Sequence, residues 1–325
     1  MQPPVLWIVV PCYNEEHVLP LTIPSFLGEL KHLKTIQKIH ESSKILFVND
    51  GSLDHTKDII WSVSKTEPDI LGLSLSRNKG HQNALLAGLM EARDKCDITI
   101  SIDCDGQDDI SVMEEMIDEY QKGNDVVYGV RSSREKDTWF KRFTAQNYYK
   151  FLQNMGVDVV YNHADYRLVS SKVLGHLSDY TEVNLFLRGL FPEIGFSSST
   201  VTYKRETRIA GKSHYCLKKM LKLALDGITS FTIKPIEYVL LFGGSLAFLG
   251  LFGILLTFLL LGIMKSFYWI LFLLSFFLLF QGLELFCFGL IGEYIGKTYM
   301  ESKHRPRFIV EEKTYKDISL KGETV

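Results

Sequence analysis

The chain has 325 residues, 46% hydrophobic and 23% charged, with 36 Lys+Arg against 38 Asp+Glu. That length allows one large domain or two ordinary ones, and the composition excludes a disordered or collagen-like chain. A net charge of −2 leaves no global basic field, which sets aside generic nucleic-acid binding. In chain order, the first 130 residues alternate short apolar runs with longer amphipathic ones. Val5–Pro11 reads as a strand, Glu15–Leu33 as a helix, Lys44–Val48 as a strand and Asp54–Ser64 as a helix. Ile70–Leu75 is the third strand, Gly80–Arg93 the third helix and Ile98–Asp103 the fourth strand. Val112–Gln121 is helical and Asp125–Val130 extended. Such alternation predicts an α/β fold with a mostly parallel sheet wrapped by helices.

Ligands of such sheets sit beyond the carboxyl ends of the strands. The polar residues of this chain gather there. The first strand ends in Pro11-Cys12-Tyr13-Asn14-Glu15-Glu16 and the second in Val48-Asn49-Asp50-Gly51-Ser52. The third ends in Ser76-Arg77-Asn78-Lys79-Gly80-His81 and the fourth in Asp103-Cys104-Asp105-Gly106-Gln107. Four such loops in succession point to a nucleotide site. Asp103 and Asp105 offer two hard carboxylates for Mg2+ or Mn2+, which would bridge diphosphate oxygens, with the Gln107 carbonyl completing the shell. The plainer reading is a capped turn before a helix at Ser111. Asp50 is placed to accept from a base or ribose, or to form an Asx turn; Tyr13 to stack on a base, or to pack on the sheet. Arg77 and Lys79 are placed to reach phosphates, or stay solvated. His81 opens the third helix, either near a phosphate or merely solvated.

The five cysteines (Cys12, Cys96, Cys104, Cys216, Cys287) are odd in number and scattered, with no C-x-x-C pair. Neither a disulfide framework nor a zinc site is expected.

Beyond residue 234 the composition changes. Tyr238 to Met264 holds no charged residue, and Ser266 to Leu283 adds a second uncharged run before Glu284. Runs of about 20 apolar residues predict two membrane-spanning helices, about 236–263 and 267–292, joined by a short turn. Basic residues near the ends of these runs predict both termini on the cytoplasmic side of the cell membrane. Lys218, Lys219 and Lys222, interleaved with leucines, read as an amphipathic helix on anionic lipid. The aromatic-rich segment Trp139–Met155 either seats an apolar chain or packs on the sheet. The division is therefore a catalytic domain at 1–210, a juxtamembrane helix at 211–234, two spans within 235–296, and a cytoplasmic tail at 297–325.

The run V-P-C-Y-N-E-E, V-N-D-G-S, S-R-N-K-G, D-C-D-G-Q resembles the family 2 glycosyltransferases of GT-A fold. More narrowly it is similar to the polyprenyl-phosphate glycosyltransferases, such as dolichol-phosphate mannose synthase and the bactoprenol glucosyltransferases. The later runs Ala164-Asp165-Tyr166-Arg167, Leu187-Arg188-Gly189-Leu190, Arg205-x-x-Arg208-x-x-Gly211-x-Ser213 and Ile291-Gly292-Glu293-Tyr294-Ile295-Gly296 fit the same pattern, so the resemblance spans nearly the whole chain. It implies that Pro11, Tyr13, Glu15 and Asp50, with Asn78 and Lys79, hold the nucleotide. It implies that Asp103, Asp105 and Gln107 hold the metal and that Arg131 lies near the active site. Arg205, Arg208 and Ser213 would contact phosphates. Asn49 stands where many relatives carry Asp.

The function so implied is inverting transfer of one sugar from a UDP-sugar to polyprenyl (undecaprenyl) phosphate at the cytoplasmic face, supplying cell-envelope polysaccharide decoration. Its partners would be those two substrates and membrane lipids, without nucleic acid; homo-oligomers through the hairpin stay open. Two alternatives remain: transfer to a diacylglycerol-type hydroxyl, which needs a base such as Asp165 or Glu182, and a non-catalytic membrane scaffold.

Overall fold

The computed structural model describes residues 2–131, 163–182, 186–205, 234–239, 241–243, 245 and 267–316. β1 (Leu6–Cys12) reads LWIVVPC and is buried at every position. A strand covered on both faces has no polar side to show, so its sequence is a continuous apolar run. Alternate residues serve opposite layers: Leu6, Ile8, Val10 and Cys12 join one core cluster, Trp7 and Val9 the other. α1 (Leu19–Thr35) starts four residues later than predicted. The Glu15 carbonyl instead accepts from the N–H groups of Val18 and Leu19, which makes a turn and holds Glu15 in the loop.

β2 (Lys44–Asn49), α2 (Thr56–Thr66), β3 (Ile70–Leu75), α3 (His81–Ala92) and β4 (Ile98–Ser101) follow. After a 3-10 turn come α4 (Met113–Gln121) and β5 (Val126–Arg131). Then come β6 (His163–Ser170), α5 (Ser171–Leu177), α6 (Leu187–Ile194) and β7 (Ser198–Tyr203). α7 (Phe267–Ser302) and β8 (Val310–Lys313) complete the described chain.

One sheet holds these strands in the order β7-β5-β6-β4-β1-β2-β3-β8. β3, β2, β1 and β4 are mutually parallel, β6 runs antiparallel between β4 and β5, and β7 is parallel to β5. The chain winds outward from β1 to β3 and then crosses back to β4. A crevice therefore opens at the carboxyl ends of β1 and β4, the switch point where ligands of such sheets bind. The covering helix α3 lies close on this part of the sheet: a Cβ on Gly88 would come within 2.4 Å of Val9 Cγ1 and 2.8 Å of Val48 Cγ2.

The sequence division assigned residues 297–325 to a tail, yet β8 is an edge strand of the catalytic sheet, antiparallel to β3. Lys57 pairs with Glu312 at 2.9 Å, Trp61 Nε1 donates to Glu312 at 3.1 Å and Thr314 Oγ1 accepts from Gly72 N–H at 2.8 Å. Tyr315 meets Trp7 edge-on at 6.2 Å. A charged strand such as V-E-E-K suits an edge, where one face stays wet.

The expected pair of membrane spans is corrected. Among the described residues no helix is long and apolar enough to cross a membrane. The second predicted span lies within α7, which carries Glu284 inside that stretch and continues through Glu293, Lys297 and Glu301. Inside that helix Gln281 Nε2 donates to Glu284 at 3.1 Å, and Lys297 stands 3.9 Å from Glu293. The multi-pass cell-membrane placement and the oligomerisation through a hairpin lose their basis with it. Most of the first predicted span, the amphipathic helix and the Trp139–Met155 segment lie outside the described residues.

Candidate active site

The loops after β1, β2 and β3 are joined to one another by hydrogen bonds from backbone N–H groups to side-chain oxygens. Asn14 N–H donates to Ser52 Oγ (3.0 Å), Asn14 Oδ1 accepts from Leu53 N–H (2.9 Å), and Glu15 N–H donates to Thr56 Oγ1 (2.8 Å). This joins the β1 loop to the β2 loop. Asp50 joins the β2 loop to the β3 loop. Its carboxylate accepts from the N–H groups of Lys79 (2.7 Å) and Gly80 (2.9 Å). Burial pushes its pKa up, partly offset by those two donors. Gly51 sits at φ +61 where a Cβ would lie 2.4 Å from the Arg77 carbonyl carbon, so the two loops cross at a point only glycine can occupy. Asn49 is buried and bridges Ser74 Oγ (3.0 Å) to Ser52 N–H (3.1 Å). Around this weld Pro11 is buried, Glu15 half-buried, and Tyr13, Arg77 and Asn78 are exposed.

On the β4 side the sheet ends at Ser101, and Asp103 and Asp105 follow on the loop. The helix-capping role belongs to Asp109, whose carboxylate accepts from Ser111 N–H at 3.0 Å. Asp103 is therefore not a cap. Burial pushes its pKa up, His81 pulls it down, and Asp165, Asp108 and Asp105 push it up again. Cys104 is buried in the same core cluster as Cys12. Asp105 accepts from Gln107 N–H at 3.1 Å, and the Gln107 side-chain carbonyl accepts from Arg205. Arg208 and Ser213 lie outside the described residues.

Among the described residues no group of three or more His, Cys, Asp and Glu is arranged to hold a metal ion. Two carboxylates plus substrate phosphates and water form the usual Mg2+ arrangement. Asp103 and Asp105 fit it in donor type, and the concentration of negative charge around Asp103 is the field a divalent cation would neutralise.

Sequence reasoning underrated a second cluster. Asp165, buried on β6, receives Arg188 through Nε (3.1 Å) and Nη2 (3.0 Å) and Arg167 through Nη2 (3.0 Å). His81 Nε2 stands between it and Asp103, at 3.4 Å and 3.5 Å. Against burial, Arg188, His81 and Arg167 hold the Asp165 pKa well below the usual carboxylate range. Burial pulls the His81 pKa down, yet the hydrogen bond to Asp165 and the charges of Asp103 and Asp165 push it up to about 9. Arg167 is fully buried and its guanidinium lies 4.5 Å from the Phe191 ring centroid. A third cluster joins Asp108 to Arg131 (3.2 Å) and Tyr203 (2.6 Å). The signal for Asp108 was its place directly after Gln107; Tyr203 carried none beyond preceding Lys204 and Arg205.

Residues 7–177 match the family described as Glycosyl transferase family 2. This chain belongs to glycosyl transferase family 2. It is a glycosyltransferase, with a GT-A α/β fold. An uncharacterized glycosyltransferase, YkoT, from Bacillus subtilis (strain 168) is 45% identical over 97% of this chain and 93% of that protein. The bactoprenol glucosyl transferase of Shigella phage SfV is 36% identical over 95% of this chain and 99% of that protein. Among solved structures, a glucosyl-3-phosphoglycerate synthase from Mycobacterium tuberculosis is 17% identical, covers 70% of this chain and 79% of that one, and has a TM-score of 0.46.

Proposed function

We propose that this glycosyltransferase moves one hexosyl group from a UDP-sugar to a polyprenyl phosphate, with inversion at the anomeric carbon. The observation that carries the reading is the alignment with a bactoprenol glucosyl transferase at 36% identity over 95% of this chain and 99% of that protein. The welded loops of β1, β2 and β3 take the nucleoside, with the exposed Tyr13 ring against the base and Lys79 and Asn78 toward the phosphates. Asp103 and Asp105 would hold Mg2+ or Mn2+, which when bound would supply charge neutralisation for the departing nucleoside diphosphate.

A phosphomonoester arrives largely ionised, its second pKa being about 6, so it needs orientation rather than a base. Arg131 and Arg205, with Arg208, are the residues we assign to orient it, by planar donor pairs that suit phosphate oxygens. The state of Asp165 argues the same way. Three cationic groups occupy its carboxylate and hold its pKa down, which makes it a poor base for a hydroxyl acceptor. The donor half is tested by calorimetry. UDP is expected to bind in the presence of Mn2+ at least about tenfold more tightly than in EDTA, and more tightly than GDP. Equal binding in EDTA would remove the metal from this reading, and preference for GDP would replace the uridine donor.

A further inference from the structure

We propose that Asp108 and Tyr203 are positioning residues for Arg131, a role that rests on the assignment of Arg131 to phosphate in the transfer reaction. The three side chains come from three separate stretches of chain and close a triangle. Tyr203 Oη donates to Asp108 Oδ1 at 2.6 Å, Arg131 Nη2 donates to the same oxygen at 3.2 Å, and Arg131 Nε donates to Tyr203 Oη at 3.3 Å. Arg131 and Tyr203 are register partners at the ends of β5 and β7. Two donors along one edge of a planar guanidinium fix both its position and its plane.

The phenol is itself held. Tyr166 meets its ring edge-on at 5.3 Å, and Tyr166 Oη donates to the Asp109 carbonyl at 3.1 Å. The clamp is thus anchored to the loop that carries Asp103 and Asp105, and it ties Arg131 to that loop at a fixed distance.

The energetics also favour a role beyond folding. The Asp108 side chain is 1% exposed, and its Oδ2 has no hydrogen-bond partner among the described residues. A buried carboxylate with one unsatisfied oxygen is a costly way to join two strands, and an apolar contact of the same volume would do so more cheaply. Local rules of this kind are broken mainly at functional sites. Arg131 is the one member with appreciable exposure, at 25% of its side chain, so it is the member through which the clamp meets a ligand.

The test is a set of purified variants: Tyr203→Phe, Asp108→Asn, Arg131→Ala and the double variants Asp108→Asn/Arg131→Ala and Tyr203→Phe/Arg131→Ala. Three quantities are read: kcat/KM for undecaprenyl phosphate, calorimetric affinity for UDP with Mn2+, and Tm. Tyr203→Phe and Asp108→Asn are each expected to lower kcat/KM about tenfold with UDP affinity held within about twofold. In the Arg131→Ala background either substitution is expected to change kcat/KM by less than about twofold, because its effect passes through Arg131. Multiplying effects in the double variants would overturn the clamp, as would full activity in both single variants beside an inactive Arg131→Ala. Full activity in Arg131→Ala would instead overturn the phosphate assignment and the clamp with it. Tyr203→Phe removes one oxygen only, so it carries the cycle if Asp108→Asn fails to fold.

Discussion

Asp103→Asn is expected to lower the rate of sugar transfer by about 100- to 1,000-fold while leaving the fold as stable as before, or slightly more so. The loss follows from the charge a divalent cation needs. An isosteric amide keeps the volume of the side chain and gives up the anionic oxygen, and such metal contacts contribute several kcal/mol to a departing diphosphate. The unchanged stability follows from the direction of the Asp103 pKa. Burial and the charges of Asp165, Asp108 and Asp105 push it up in the folded chain. A carboxyl whose pKa is raised by folding is one whose ionised form the fold penalises, so a neutral substitute relieves that penalty. Transfer rates measured beside a urea denaturation curve check both halves. Full activity would remove Asp103 from the metal site, and a large loss of stability would mark it as structural.

Asp165→Ala should behave in the opposite way and lower stability by about 3–5 kcal/mol. Its carboxylate is the counterion of Arg167, which is fully buried, and of Arg188. Those groups hold its pKa well below the usual range, so the fold stabilises the charge it carries. Removing it leaves the Arg167 guanidinium buried over Phe191 with no described hydrogen-bond acceptor, since Nε and Nη1 already lack one. His81 loses one of its two carboxylate neighbours at the same time. A shift in the urea midpoint at constant slope is the expected readout. A cost below about 1 kcal/mol would mean that the arginines find other partners, and the cluster would then not be the anchor described here.

The two carboxylates illustrate what was legible in the sequence. Asp103 and Asp105 stand in a short polar run at a strand end, and local pattern exposes them. Asp165 and Arg167 interrupt β6 with charges, and only the arrival of Arg188 from α6 makes their burial tolerable. That partner is 23 residues away in sequence and cannot be read from β6 itself. The same contrast holds for the fold. β1, β2 and β3 are legible because parallel strands covered on both faces are apolar throughout. The V-E-E-K strand β8 is not, because an edge strand so rich in charge looks like any solvated tail until its pairing with β3 is known.

The late start of α1 follows the turn closed by the Glu15 carbonyl, and Pro20 in the first turn of the helix is the residue signal that marks it. The run after residue 266 is legible as a helix, and the structure carries that helix on through Glu293, Lys297 and Glu301. At the site, Asp50 was legible as important and its local task was not, since its bonds go to the backbone of a loop 29 and 30 residues further on.

The central claim is the transfer itself. The measurement that tests it most directly is partition of radiolabel from UDP-glucose, and from a panel of other UDP- and GDP-sugars, into organic solvent. Purified protein would be incubated with Mn2+ and undecaprenyl phosphate in detergent micelles. The account predicts label in the organic phase with a UDP-sugar, released again as free sugar by mild acid, and abolished by EDTA or by omitting the lipid phosphate. Tight UDP binding with no transfer from any donor, or transfer that proceeds equally to a diacylglycerol in place of the phosphate, would contradict it.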